Sequence, residues 1–140
     1  MIDWKFFDFV NSAGTNPIAK WYRKKLSVQE QSDLVELLTI LQKKRVWGEP
    51  EYKTLSGEKY RGLGEIRLKG DQGVPLRLVG FRDPNSAVFK FTFLIGCFHQ
   101  KTYDPPNALD TAVDRKKDLD NERATTCEHE FDADEETDEE

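Results

Sequence analysis

Cysteine is nearly missing: Cys97 and Cys127 are the only two in 140 residues, and they stand in unlike settings. A disulfide framework is excluded, and the usage suits a reducing compartment. Histidine is as scarce, at His99 and His129. Cys127-Glu-His129 lacks further partners at zinc spacing, so no metal site and no cofactor are expected. The longest apolar run, Ala87–Phe98, is broken by Lys90 and is too short to cross a bilayer. The segment Met1-Ile-Asp-Trp4 has neither a basic nor an apolar leader region, so a cytoplasmic protein with no membrane partner is expected. There is no Walker loop. Gly62-Leu-Gly64 and Gly70…Gly73 are too short to be dinucleotide fingerprints and read as turn glycines. A serine nucleophile elbow is also absent.

Charge, by contrast, is abundant and unevenly placed. Residues 1–117 carry 20 Lys+Arg against 14 Asp+Glu, or +6, and residues 118–140 carry Arg123 against 12 acidic residues, or −11, which together give the net −5. The chain reads as a basic domain, 1–118, followed by an acidic tail, 119–140. With few apolar residues to bury, that tail is expected to be disordered. Three roles suit it: solubility, a polyanion competing with RNA for the basic face, or a segment that folds onto a partner.

The aromatic, β-branched stretch Trp4–Val10 predicts a first strand. Pro17 suits the first turn of a helix through Leu26. Ser27-Val-Gln-Glu30 has capping-box spacing, and Leu34, Leu37, Leu38 and Leu41 recur at helical spacing. A second helix to about Lys44 follows, ended by Trp47-Gly-Glu-Pro50. Three strands are predicted next, at Leu63–Lys69, Val74–Arg82 and Ala87–Phe98. Turns at Gly70–Gly73 and Asp83-Pro-Asn-Ser86 separate them. Asp104-Pro-Pro reads as the N-cap of a last helix with Leu109, Ala112 and Val113 on one face. The order β-α-α-β-β-β-α makes an α+β domain with helices on one face of a small antiparallel or mixed sheet.

Cations gather on and beside that sheet: Lys59, Arg61, Arg67, Lys69, Arg77, Arg82 and Lys90. Alternation sets Arg67 opposite Ile66 and Leu68, and Arg77 opposite Leu76 and Leu78, which leaves both arginines on the open face. Two arginines so placed suit a phosphate and the charge that builds during its transfer. A merely solvated cationic face is the alternative. His99, Lys101 and Tyr103 follow the last strand, and an imidazole suits proton transfer near neutrality. His99 also reads as a strand-end ring packed beside Phe98, and Phe98 reads equally as core.

Leu63-Gly-Glu-Ile-Arg67, Pro75-Leu-Arg77, Leu94-Ile-Gly-Cys-Phe98-His-Gln-Lys101-Thr-Tyr-Asp-Pro-Pro106 and Ala112-Val-Asp-Arg115 together resemble the RelE/ParE toxin superfamily, most closely its phage-type, HigB-like branch. The likeness runs from residue 4 to about 118. It implies a metal-independent mRNA endoribonuclease, acting at the ribosome and neutralised by an antitoxin with a helix-turn-helix. The ribose 2′-OH attacks the adjacent phosphate while a base and an acid move protons. The resemblance matches Arg67, Arg77, Phe98 and Lys101 to the family's motif positions, with Tyr103 on the same rim. Arg67 and Arg77 are expected to clamp phosphate, His99, Lys101 or Tyr103 to move the proton, and Lys59, Arg61, Lys69, Arg82 and Phe98 to contact RNA. The first Lys of the family's pair is Gln100 or His99 here, so the acid/base set departs from the family's. The acidic tail is not part of the family pattern. Two alternatives share the fold: a ParE-like inhibitor of DNA gyrase, and an inactive phage homologue that binds a host protein.

Overall fold

The computed structural model describes residues 3–83 and 89–130. The expected turn at 83–86, the first residues of the strand begun at 87, and residues 131–140 lie wholly or partly outside them. The described chain runs β1 (Lys5–Val10), α1 (Pro17–Lys25), α2 (Val28–Gln42), β2 (Tyr52–Thr54), a single 3-10 turn (Glu58–Tyr60), β3 (Leu63–Leu68), β4 (Leu76–Arg82), β5 (Lys90–His99), β6 (Tyr103–Asp104), α3 (Ala108–Asp120) and β7 (Thr125–Glu128). This is an α+β chain on one mixed sheet. No helix among the described residues is long and apolar enough to cross a membrane.

The sheet order is β2-β3-β4-β5-β1-β7, with β6 also paired to β5. β1 runs parallel to β5, matching Phe6 to Phe91 and Asp8 to Phe93. All other pairings are antiparallel. β1 and β6 share one edge of β5, because β4 occupies the other.

Both predicted helix starts among the first two hold. Asn16 caps α1 through its side chain on the Ala19 amide, with Pro17 in the first turn. Ser27 and Glu30 form both bonds of the capping box of α2. Leu34, Leu38 and Leu41 of α2 are buried, at 3% exposure or less. Each falls in the class of core leucine whose truncation to alanine costs roughly 2–5 kcal/mol. α1 docks through Trp21, whose ring covers Gly96 so closely that a Cβ there would collide with it.

The face beneath α1 and α2 is an aromatic layer. Phe6 stacks on Phe93 at 5.4 Å, and Trp47 stands 4.5 Å from Trp4 and 5.3 Å from Phe91 between ring centroids. Such pairs add about 0.5–1.5 kcal/mol each beyond their buried area.

Three expectations are corrected. Helices cover both faces, not one: α3 buries Ala108 and Ala112 against the second face and lays Lys116 over Phe81 and Arg115 over Phe9. The last helix is not capped by Asp104. That residue belongs to β6, and Asn107 stands at the N-cap without a side-chain bond. The segment from 119 is not a disordered tail through residue 130. α3 extends to Asp120, and β7 pairs Cys127 with Asp8 and Thr126 with Phe9. The physical reason is a buried pair that the composition hides. His129 Nδ1 lies 2.8 Å from Asp8 Oδ1, and Asn16 Nδ2 donates to Asp8 Oδ2 at 2.9 Å. Asp8 is only 2% exposed, and a buried carboxylate needs such partners.

Candidate nucleic-acid interface

The β3–β4 register sets Arg67 opposite Arg77 and Glu65 opposite Val79. β5 then sets Cys97 opposite Arg77. Glu65, Arg67, Arg77 and Cys97 therefore share a face near one end of the sheet, opposite the aromatic layer, as alternation predicts for both arginines.

Glu65 sits at the centre, 2% exposed. Arg67 Nε donates to its Oε2 at 3.0 Å, and Arg67 Nη2 lies at the same distance. Arg77 Nε is 3.4 Å from that oxygen without hydrogen-bond geometry, while Arg77 Nη1 donates to the Leu76 carbonyl at 3.0 Å. The Tyr103 hydroxyl donates to Glu65 Oε1 at 3.0 Å. One buried carboxylate thus holds two guanidinium groups and a phenol. The arginine side chains remain 27% (Arg67) and 12% (Arg77) exposed. With five donors on each guanidinium, Arg67 keeps donors for a ligand.

β6 brings the proton-transfer candidates to the same place. Its pairing with β5 sets Tyr103 opposite His99, and the two rings stack at 4.2 Å. Burial pushes the Tyr103 phenol well above its usual range, and the Glu65 charge and hydrogen bond push it further. At neutral pH Tyr103 therefore keeps its proton and serves as a donor. Burial, then the Glu65 charge, raises the Cys97 thiol to about 12, with Arg77 opposing. Cys97 is a neutral packing residue here.

An open groove of about 1010 Å³ runs past this end of the sheet, lined by Lys25, Phe98, Lys101, Tyr103 and the Asp71–Gln72 turn among others. Its far wall is set by the helix cap: Glu30 Oε2 accepts from the Asp71 amide at 3.1 Å and the Ser27 hydroxyl bonds Asp71. Lys101 stands exposed in the turn between β5 and β6. Lys69 is exposed beyond β3, in a shallow hollow it shares with Arg67 and Arg77.

The remaining expected RNA contacts do not converge here. Lys59 pairs with Asp110 at 2.8 Å and Arg61 with Glu58 at 2.8 Å, both at the 3-10 turn. Their charges are matched on the surface, and the Asp110 partnership raises the Lys59 ammonium. Arg82 is at the opposite end of β4, five residues or about 17 Å from Arg77, with its guanidinium over Trp4 and Phe89. Phe98 projects from the other face of β5 and tilts against Trp21 at 5.9 Å, reaching the groove from that side.

Sequence reasoning passed over Glu65, although its alternation with Arg67 carried the signal. It also passed over the Asp8–His129 pair, for which no local signal exists. Among the described residues no three His, Cys, Asp or Glu side chains are grouped to hold a metal ion. Comparison with family models, characterised proteins and solved structures returned no match.

Proposed function

We propose that this chain is an mRNA endoribonuclease of the toxin type that its motifs resemble, acting on mRNA at the ribosome and held in check by a separate antitoxin. The observation that carries the reading is the Arg67–Arg77 cross-strand pair, fixed on Glu65 beside the stacked His99 and Tyr103. Arg67, the more open arginine, contacts the scissile phosphate, and Arg77 beneath it adds positive charge. Together they stabilise the anionic phosphorane-like centre formed when the 2′-oxygen attacks. His99 takes the 2′-OH proton as that oxygen bonds to phosphorus. Lys101, in the adjoining turn, donates a proton to the departing 5′-oxygen. The products are a 2′,3′-cyclic phosphate and a 5′-hydroxyl. Glu65 and Tyr103 act as positioning residues, one holding the guanidinium groups and the other holding the imidazole.

The test is induction in cells of the wild-type chain and of Arg67→Ala, with growth followed and mRNA 5′ ends mapped. Growth arrest with new ends that vanish in the variant is expected. Arrest with unchanged mRNA would overturn the nuclease reading and favour a gyrase-type inhibitor.

A further inference from the structure

A second concave site lies at the end of the sheet opposite Arg77. Trp4, Trp47, Tyr52 and Phe91 wall a cavity of about 350 Å³, with Arg45 and Arg82 also lining it. That volume is in the range of small-molecule sites. No carboxylate among the described residues lines the cavity. Among the described residues, neither arginine forms an ion pair with Asp or Glu.

The rings are fixed before any ligand arrives. Trp4 Nε1 donates to the Lys44 carbonyl at 2.8 Å, and Trp47 Nε1 donates to the carbonyls of Leu41 at 2.9 Å and Lys44 at 3.2 Å. These bonds turn the polar ring edges toward the end of α2 and occupy its carbonyl oxygens. What the cavity offers is ring surface, with Val46, Leu55 and Leu63 beside it, the Thr54 hydroxyl and the two cations. Trp4 and Phe91 are buried, whereas Trp47 and Tyr52 are only partly so, and Trp47 is the larger of the two rings left open to a ligand. The Arg82 guanidinium stands 5.1 Å from the Trp4 ring, a placement that holds the cation at one orientation.

We propose that this cavity binds a nucleotide, with its base against Trp47 and its phosphate between Arg45 and Arg82. An apolar ligand alone makes no use of two guanidinium groups that lack a carboxylate partner among the described residues. A simple anion has no use for four aromatic walls. A nucleotide supplies a flat π face and a bidentate anion together. The proposal stands apart from the Arg67–Arg77 site and holds whether or not RNA is cleaved there. The same chemistry is offered by a free nucleotide and by one unit of a single strand.

The experiment titrates the full chain with 5′-AMP and with a short single-stranded oligouridylate, reading tryptophan emission and binding heat. Arg67→Ala serves as the background for the oligonucleotide, so that loss of the other site does not count. AMP is expected to quench emission, and Trp47→Phe to remove most of that quench. Arg45→Ala and Arg82→Ala should each weaken binding roughly tenfold, the loss of one charge-assisted contact. Lys20→Ala, an exposed cation outside the cavity, controls for net charge and should bind as wild type. Oligonucleotide binding that depends on Arg45 without AMP binding would identify the strand as the source. Neither probe binding at millimolar concentration would overturn the proposal. So would binding indifferent to both arginines, or a cavity that takes an apolar dye and no nucleotide.

Discussion

Arg67 and Arg77 are direct partners across the β3–β4 ladder, yet both guanidinium groups turn to the same carboxylate oxygen of Glu65. Like charges set directly opposite on a sheet repel. Glu65 offsets that repulsion from a buried position and keeps the pair where a phosphate can meet it.

Removing Glu65 should therefore destabilise the chain before it affects chemistry. Glu65→Ala leaves two largely buried cations uncompensated and should cost about 3 kcal/mol. Glu65→Gln keeps the size and one acceptor and should cost less. Urea denaturation would show both as shifts in midpoint at constant slope. Equal stability of Glu65→Ala and the wild-type chain would remove Glu65 from this role.

Arginine geometry gives a second expectation. Arg67→Lys keeps the charge but loses the fork that bonds Glu65 through two nitrogens. RNA cleavage should fall by roughly 10²-fold or more in both Arg67→Lys and Arg67→Ala, with circular dichroism unchanged. Full activity in the lysine variant would mean that charge alone suffices.

Lys59 and Arg61 should be dispensable. Each is already matched by a surface carboxylate in a pair that solvent screens, so neither adds much to stability. The double change Lys59→Ala, Arg61→Ala is expected to leave cleavage within about twofold and the unfolding midpoint nearly unmoved. A large loss of cleavage would return the 3-10 turn to the RNA path.

The two thiols should behave differently. Cys127 is exposed and Cys97 is buried. An aromatic disulfide reagent at neutral pH should label one thiol in the folded chain and the second only on unfolding. Because the folded Cys97 thiol is raised from 9.0 to about 12, the folded state favours its neutral form. That contribution is fully present below pH 9 and is lost as pH rises toward about 12. Tyr103, also raised, adds a loss beginning near its ordinary value of 10.0. Cys97→Ala should flatten the stability profile between pH 9 and 12.

Truncation separates what the acidic composition merges. A chain ending at Asp120 lacks β7 and His129, so it loses the strand that pairs with Asp8, the imidazole that bonds it and the cover they give β1. It should be less stable by about 3 kcal/mol than a chain ending at Glu130. Equal unfolding midpoints would make β7 an accessory to the sheet.

Much of this architecture is legible in local patterns. Ser27 and Glu30 announce a cap that forms both its bonds. The leucine spacing of α2 and the alternation through Arg67 and Arg77 place those side chains on the faces they occupy. The misses have a common physical cause: their partners are remote in sequence. Thr125–Glu128 carries little apolar content and is largely exposed, so its strand character comes from the β1 edge and from an Asp8–His129 pair spanning 121 residues. Phe98 has the chemistry of a stacking residue, but its register opposite Leu76 turns it away from the arginines. Arg82 shares a strand with Arg77 and still stands at the other end of the molecule. A strand's face is written in alternation; the distance between sites on it is not written in composition.

β1 has consequences for timing as well as for architecture. It precedes the other described strands, yet both of its neighbours, Lys90–Phe93 and Thr125–Glu128, come far later in the chain. Its backbone donors and acceptors stay unpaired until then, and closing loops of that span is slow. The position of β1 between β5 and β7 therefore rests on the two longest closures in the sheet. The Glu65 cluster joins β3 to Tyr103 of β6 across 38 residues, a shorter closure than either that β1 requires, so loop entropy favours the arginine site forming ahead of the sheet edge.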